Sequence, residues 1–302
     1  MILGYFSNIH YFCCMEYIHY NIAGHIFLIE TTDITTTRSL IPSFDPFLVV
    51  KDDVSQDVLF RFTGNKKIII PDADPVDIVE IHGISFKVFL KEGVLTVCMN
   101  QQSEEYHFQI SEDKSIVITD ITLKQESESF FLLYFLRAAY GIISAYHKTL
   151  KIHASVIEKD GKALVFLGKS GTGKSTHSKL WQKFIPGCSL LNDDEPIIRL
   201  MSDGTVRVFG APWSGSTPCY RNISAEVSAF VHLYQGEENR LTKQNGVESF
   251  TSLLQSTAIM RSDSNNRTMI ISMINDILER TPIYKLDNRP DREAVSLTET
   301  LL

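Results

Sequence analysis

The sequence predicts an α/β protein with two parts: an antiparallel β-rich domain over residues 1–125 and a domain over residues 126–302 that carries a glycine-rich loop. From about Tyr17 to Thr122, short apolar runs are separated by turn residues, which is typical of antiparallel strands. Beyond residue 150, two apolar strands lead into GKSGTGKS and then into a helical pattern. That order is typical of a strand–loop–helix unit in an α/β domain.

The composition indicates an ordinary globular protein with a substantial core. The chain has 302 residues, of which 44% are hydrophobic and 22% are charged. Its net charge of −7 argues against broad binding to nucleic acid or to an anionic membrane, because both need a basic surface. We therefore expect neither a nucleic acid nor a membrane as a partner, while a local basic pocket for phosphates stays compatible with this charge.

The cysteines and the N-terminus favour a cytoplasmic protein. The five cysteines are Cys13, Cys14, Cys98, Cys188 and Cys219. Their number is odd and no pair has CxxC or zinc-ligand spacing, so we interpret them as reduced thiols. Residues 1–14 are apolar but lack a basic segment, which argues against a signal peptide. Our hypothesis is that translation begins at Met15 and that residues 1–14 are not native.

One apolar segment, FFLLYFLRAAYGIISAY from Phe130 to Tyr146, approaches the length of a membrane-spanning helix. Arg137 interrupts it, and polar or acidic residues flank it on both sides. We therefore predict a buried helix, from about Glu126 to Thr149, that joins the two domains.

The N-terminal domain is predicted from its strands alone. The predicted strands are HIFLIE, FLVV, VLFRF, KKIIIP, ISFKVFLK, VLTVCMN, YHFQIS and SIVITDI. No nucleophile–base pair and no metal-ligand cluster is apparent in this part of the sequence, which favours a role in scaffolding or in partner recognition.

A hairpin is predicted immediately before the glycine loop. Apolar runs at Ile152–Ile157 and Ala163–Leu167 flank Lys159 to Lys162, which contains Asp160-Gly161. An Asp-Gly pair between two such runs is a strong hairpin signal. The strand that leads into the loop is therefore expected to have an antiparallel neighbour.

The glycine loop, Gly168 to Ser175, fits the pattern G-x-x-x-x-G-K-[ST] between a strand and a helix, which predicts nucleotide phosphate binding. Gly171 and Gly173 allow the backbone to turn its N–H groups inward, and the helix that begins near Lys174 adds partial positive charge. Lys174 is expected to reach the terminal phosphates, and Ser175 to bind Mg²⁺. The predicted ATP-binding residues are Gly168, Ser170, Gly171, Thr172, Gly173, Lys174, Ser175 and Thr176.

Along the helix after the loop, Leu180, Trp181 and Phe184 are expected to face the core, and Pro186-Gly187 to end it. His177 lies on the same helix. We expect its side chain to be exposed and assign it no function.

The next strand, Cys188 to Leu191, is followed by Asn192-Asp193-Asp194-Glu195. Ligands of open α/β sheets bind at the carboxyl ends of strands, so these acids are expected near the phosphates. Three adjacent acids repel one another unless a cation offsets them, and Mg²⁺ is the expected cation. One aspartate would hold the metal and the other would act as base toward an acceptor hydroxyl. A solvated acidic turn is the structural alternative.

These features resemble the HPr kinase/phosphorylase and phosphoenolpyruvate carboxykinase group of P-loop proteins. The resemblance rests on GKSGTGKST, on the preceding hairpin with IHASVI, and on LLNDDEP after the next strand, and it covers Ile152 to Leu200 best. It implies an HPr-kinase/PEP-carboxykinase-like P-loop fold for the second domain. Related kinases are often oligomers, so the resemblance leaves open a homo-oligomer.

Carried over by position, the resemblance assigns His153 to the phosphate site and Lys174 with Ser175 to triphosphate and Mg²⁺. It makes Asp193 the base and Asp194 a metal-linked acid. A histidine with only a structural role on its strand is the alternative for His153. The family usually has Gly where this chain has Ala154, and Ala where it has Asn192.

The acceptor is expected to approach the loop GAPWSGSTPCYRN, Gly210 to Asn222, which is rich in turn formers and hydroxyl groups. Trp213 would pack over the acceptor and Arg221 would pair with its phosphate or carboxylate. A connecting loop with Trp213 in the core is the alternative. Two amphipathic helices, within GVESFTSLLQSTAIM and TMIISMINDILERT, and a final strand at PIYKLD are expected to complete the domain.

Taken together, these expectations describe an HPr-kinase-like phosphotransferase of the serine kinase type. It would use ATP and Mg²⁺ to phosphorylate a hydroxyl, expected to be a serine, on a protein or a small molecule. Because the match weakens after Leu200, an ATP-binding regulatory or accessory module without phosphotransfer remains an alternative. A carboxykinase-like lyase is a second alternative.

Overall fold

A computed structural model describes residues 15–49, 57–81, 83–215, 217–260 and 263–302. Cys13, Cys14 and the hypothesis that translation begins at Met15 concern the segment 1–14, which lies outside the described residues. Cys98, Cys188 and Cys219 are free thiols.

The N-terminal half folds into an eight-stranded sheet. Its strands are β1 (Glu16–Ile22), β2 (His25–Thr31), β3 (Val58–Thr63), β4 (Asp77–Ile81), β5 (Ile84–Lys91), β6 (Val94–Gln101), β7 (Glu104–Ile110) and β8 (Ile116–Thr119). They lie in the order β1-β2-β3-β8-β7-β6-β5-β4. The prediction of a purely antiparallel domain is wrong, because β3 pairs in parallel with both β2 and β8.

The parallel pairing of β2 with β3 has a local cause. Parallel strands need a long crossover connection. Here helix α1 (Ile34–Leu40) and a 3₁₀ helix at Pro42–Phe47 lie between the two strands. The sequence prediction missed both short helices and placed a strand at FLVV, whose Phe47 ends the 3₁₀ helix. Val50 lies outside the described residues.

Another predicted strand, KKIIIP, is wrong, because this segment joins no β-ladder. Lys66 donates its backbone N–H to the Thr119 carbonyl, and the Gln109 side chain donates to the Ile69 carbonyl. The Ile69 side chain is exposed. A β-branched run favours a strand only where it can pack on a half-buried surface, and this one cannot.

Helix α2 (Ser129–Ser144) covers the inner face of the first sheet. Phe131, Phe135 and Tyr140 are buried in the same hydrophobic cluster as the strands. The apolar run Glu126–His147 is long enough to cross a membrane, but half of it is buried inside the protein. These contacts make α2 a core helix. It ends earlier than predicted, because a 3₁₀ turn at Ala145–His147 leads into the next strand.

The C-terminal half folds into a nine-stranded sheet. Its strands are β9 (Thr149–Lys151), β10 (Ala154–Lys159), β11 (Lys162–Leu167), β12 (Ser189–Asp194), β13 (Ile197–Leu200), β14 (Val206–Phe209), β15 (Ser224–Gln235), β16 (Arg240–Lys243) and β17 (Ile283–Asn288). The main path is β12-β10-β11-β15-β14-β13-β9, and β17 pairs with β15 and β16. The predicted hairpin is β10–β11, with positive φ at Asp160 and Gly161 as a two-residue turn requires.

Helices cover both faces of this second sheet, so the domain has three layers. One face carries α3 (Lys174–Phe184) and α6 (Arg292–Glu299), and the other carries α4 (Gly246–Ser256) and α5 (Ser264–Leu278). Trp181 of α3 is fully buried, as predicted. His177 is also buried, so the expectation of an exposed side chain is wrong: α3 presents this residue to Phe166 and to Thr298 of α6.

Candidate active site

The glycine-rich segment forms a loop that joins β11 to α3, where the sequence places it. Gly171 and Gly173 have φ values of +82° and +97°, and Gly173 is the residue immediately before the helix. A Cβ at either position would meet no atom within 4 Å, so the positive φ is the reason for glycine. Thr172 closes the turn by donating its hydroxyl to the Lys169 carbonyl at 2.9 Å.

The strand directions bring three chain segments to one edge of the second sheet. Both β11 and β12 run antiparallel to β10, which lies between them. The carboxyl ends of β11 and β12 therefore meet the amino end of β10. This places the glycine loop, Asp193 with Asp194, and His153 beside one another. Asp193 and Asp194 are the last two residues of β12, and the sequence prediction had placed them just beyond it.

The three segments enclose a cleft of about 310 Å³. The predicted residues that line it are His153, Ser170, Gly171, Gly173, Lys174, Ser175, Thr176, Asp193 and Asp194. Ala154 and Gly215 complete the lining. The predicted residues Gly168 and Thr172 do not line the cleft. They stabilise the loop instead: the Gly168 carbonyl accepts a hydrogen bond from Lys174, and the Thr172 hydroxyl donates to the Lys169 carbonyl.

Lys174 is held at the inner end of the cleft. Its Nζ donates to the Gly168 carbonyl at 2.8 Å and to His153 Nε2 at 3.0 Å. An ammonium group can only donate, so His153 Nε2 must accept, which places the neutral ring's proton on Nδ1. That nitrogen lies 3.4 Å from Asp194 Oδ1. Burial lowers the pKa of Lys174, and the negative charges of Asp193 and Asp194 act in the opposite direction.

Asp193 faces the beginning of α3. Ser175 donates its hydroxyl to Asp193 Oδ1 at 2.9 Å. The backbone N–H of Gly215 donates to the Asp193 carbonyl at 2.9 Å, and a Cβ at residue 215 would lie only 2.7 Å from that oxygen. This close approach brings the loop after β14 to the rim of the cleft.

Asp194 and Glu195 belong to an ion-pair network that the sequence analysis did not foresee. Arg137, in the middle of α2, lies 2.9 Å from Asp194 Oδ2 and 2.7 Å from Glu195 Oε2. Lys151 of β9 lies 2.7 Å from the same Glu195 oxygen. The expectation that the acids depend on Mg²⁺ for charge compensation is therefore wrong for these two. Two side chains from distant parts of the chain supply the positive charge.

The network shifts the pKa values of its members. Burial by itself would raise the pKa of Glu195, but Lys151 and Arg137 outweigh it and lower that pKa to about 2. Burial lowers the pKa of Lys151, opposed by Glu195. Burial by itself would lower the pKa of Arg137, but the negative charges of Glu195 and Asp194 outweigh it and raise that pKa above the ordinary value. Glu195 and Arg137 are therefore charged near neutral pH.

Two predicted acceptor residues lie away from the cleft. Trp213 is buried in the hydrophobic cluster that the first sheet forms with α2. Its ring packs against Phe44 and Tyr140, and its Nε1 donates to the Glu195 carbonyl. No exposed ring face remains for an acceptor, so the structural alternative for Trp213 is the one found. Arg221 donates to Ser189 at the start of β12, about 13 Å along the strand from Asp193, so its assignment to the acceptor is not supported.

Comparisons with known proteins give a distant structural likeness. No protein-family model matches the chain, and no curated protein matches it. A search of solved structures lists the HPr(Ser) kinase/phosphatase from Coxiella burnetii with a TM-score of 0.31 and 14% sequence identity. The match covers 50% of this chain and 87% of that one. A likeness at this level carries no argument about function.

Proposed function

We propose that the chain is an ATP- and Mg²⁺-dependent kinase that transfers the terminal phosphoryl group to a hydroxyl, such as a serine, of a protein or small molecule. The observation that carries the proposal is the convergence, in one cleft, of the glycine loop with Lys174 and the pair Ser175–Asp193. Phosphoryl transfer depends mainly on positioning and on neutralising negative charge, and these are the groups that supply both.

The phosphate end of the proposed site is the glycine loop. Gly171, Gly173 and the first turn of α3 line the cleft. A glycine-rich turn at a helix N-terminus favours an anion, because its backbone N–H groups carry partial positive charge. Lys174 would pair with the terminal phosphates. Its ammonium is oriented by His153, and the proton on His153 Nδ1 faces Asp194. His153 and Asp194 are therefore proposed as positioning residues for Lys174.

The residues of the cleft fit Mg²⁺ at one place. Magnesium prefers oxygen ligands and usually binds one or two carboxylates together with substrate phosphates and water. Ser175 Oγ and Asp193 offer such oxygens side by side. Asp194, which the family resemblance gives as the metal-linked acid, has one oxygen near Arg137 and the other near His153, and both groups disfavour a cation there. When bound, Mg²⁺ would neutralise charge on the phosphates. Among the described residues, no group of three or more His, Cys, Asp or Glu is arranged to hold a metal.

The acceptor end of the proposed site is formed by Asp193 and by the loop at Gly215. Asp193 Oδ1 accepts from Ser175, whereas its second oxygen has no hydrogen-bond partner within the part of the chain that the structure describes. That oxygen would orient the acceptor hydroxyl and receive its proton. The acceptor would enter past Gly215, which lines the cleft, with no contact from Trp213.

A nucleotide-binding regulatory module remains a second candidate because of one observation. Since Arg137 and Lys151 already balance Asp194 and Glu195, the acidic cluster does not by itself require a catalytic metal. Such a module would bind ATP through Lys174 and transfer nothing.

The test is phosphoryl transfer from γ-labelled ATP with Mg²⁺, offered free serine, purified HPr and a cell extract in separate reactions. Wild type is compared with Asp193→Asn and with Asp203→Asn, a matched substitution in the exposed turn between β13 and β14, which does not line the cleft. The kinase proposal expects transfer by wild type and Asp203→Asn and at least about a hundredfold loss in Asp193→Asn. If the chain binds ATP in a way that depends on Lys174 but transfers phosphate to none of these acceptors, the kinase proposal is refuted and the regulatory module is favoured.

A further inference from the structure

A second cleft, of about 300 Å³, lies between the inner face of the first sheet, helix α2 and the loop that follows α4. Its walls are mainly apolar. They include half-buried Val79, Phe86 and Val88 from the strands and Ile142 from α2. A cavity of this volume with apolar walls and a few polar groups is typical of a small-molecule site.

Lys151 is the lysine that lines this second cleft. Its side chain is only 10% exposed, and its Nζ is paired with Glu195 Oε2. An ammonium group has three donors, so the ion pair leaves Lys151 with N–H donors for an oxygen inside the cleft. The absence of a side chain at Gly141 leaves space for the aliphatic part of Lys151, because a Cβ there would lie 3.0 Å from Lys151 Cε.

The other polar groups of the cleft restrict what can bind beside Lys151. Asn266 is a neutral amide, and its Nδ2 already donates to the Ile142 carbonyl at 3.1 Å. Asp77, at the start of β4, also lines the cleft and disfavours a second acidic group on the ligand. Because Glu195 already offsets the charge of Lys151, the lysine offers its remaining N–H donors rather than an unpaired charge. A phosphate or a dicarboxylate would bring at least two uncompensated negative charges into the cleft, whereas a monocarboxylate brings one.

From this arrangement we infer that the second cleft is a binding site for a small monocarboxylic acid with an apolar body. The carboxylate accepts hydrogen bonds from Lys151 Nζ, and the hydrocarbon part is buried against Val88, Phe86 and Ile142. The inference does not depend on the proposed kinase activity, because it uses none of the phosphate-binding residues.

The experiment is isothermal titration calorimetry of the full chain with octanoate, and with octanol as the uncharged probe of equal length. The expected result is that octanoate binds at least about tenfold more tightly than octanol, since a hydrogen bond to a charged group contributes about 1.5–3 kcal/mol. Burial of the hydrocarbon chain is expected to give a negative heat-capacity change.

Three variants test the location. Val88→Phe fills the cleft without touching the ion pairs and should weaken octanoate binding at least about tenfold, because the added ring occupies the buried apolar space. Lys87→Phe adds the same ring on the exposed side of β5 and should change binding less than about twofold. Lys151→Met should abolish the preference for the acid. If that variant does not fold, the comparison of Val88→Phe with wild type decides whether octanoate binds in this cleft.

Saturable octanoate binding that Val88→Phe weakens and Lys87→Phe does not would support the site. Unsaturable binding by wild type, or equal octanoate affinity in wild type and Val88→Phe, would overturn it. Equal affinity of wild type for octanol and octanoate would overturn the assignment of the carboxylate to Lys151.

Discussion

Replacing Arg137 with methionine is expected to lower the free energy of unfolding by about 3 kcal/mol. Arg137 lies within hydrogen-bond distance of both Asp194 and Glu195, and its side chain is 21% exposed. Removing one partner from a buried ion pair costs about 3–5 kcal/mol, because it leaves a buried charge without compensation. We expect the lower end of this range because Lys151 still pairs with Glu195. Methionine keeps most of the apolar stem, so the packing of α2 is preserved.

The assay is urea denaturation at neutral pH, followed by circular dichroism. Arg38→Met is the matched control, because Arg38 donates two hydrogen bonds to Asp45 on the surface, where both side chains are 40% exposed or more. An exposed pair of this kind contributes only about 0–1 kcal/mol. An Arg137→Met loss as small as that of the control would refute the reasoning that the network is buried and stabilising. Arg137→Lys, which keeps the charge but cannot bridge both acids in one plane, should fall between the two.

Three further predictions concern the loop and the pH dependence of stability. Lys174→Met should weaken ATP binding at least about tenfold, whereas Lys169→Met on the exposed part of the same loop should change it less than about threefold, as measured by calorimetry. Gly173→Ala meets no steric obstacle but forces a positive φ, so thermal unfolding should show a loss of about 1–2 kcal/mol. Hydrogen bonding to Asp120 raises the pKa of His107 to about 10, above its unfolded value of about 6.5. The stability that His107 contributes is therefore full below about pH 6.5 and lost as the pH rises toward 10, and the difference in unfolding free energy between wild type and His107→Gln should shrink over that interval.

Local sequence patterns predicted the parts of the site that depend on neighbouring residues. The turn at Asp160-Gly161, the loop with positive φ at Gly173 and the helix that begins at Lys174 all follow from residues within one supersecondary unit. The position of Asp193 at a strand end followed from the alternation of strand and helix.

Contacts between distant segments could not be predicted in the same way. Arg137 pairs with a residue 57 positions further along the chain, and in the sequence it stood out only as a charge within an apolar run. Trp213 and Arg221 occupied a loop of the right composition, but composition does not tell which side chains turn toward the core. The parallel pairing of β3 was likewise hidden, since strand patterns carry no information about direction.

The distribution of charge around the three consecutive acids narrows the proposed metal site to one of them. The ion pairs of Arg137 and Lys151 compensate Asp194 and Glu195. Asp193 makes no ion pair within the described residues and contacts the hydroxyl of Ser175 instead. A divalent cation would therefore relieve uncompensated charge chiefly at Asp193.

We accordingly expect Asp193→Asn to weaken Mn²⁺ binding at least about tenfold, as measured by electron paramagnetic resonance in the presence of ATP. Asp194→Asn should change that affinity less than about threefold, because its carboxylate is proposed to position His153 and Lys174 rather than the metal. If Asp194→Asn weakens Mn²⁺ binding more than Asp193→Asn does, Asp193 is not the main metal ligand and Asp194 binds the metal, as the family resemblance implies.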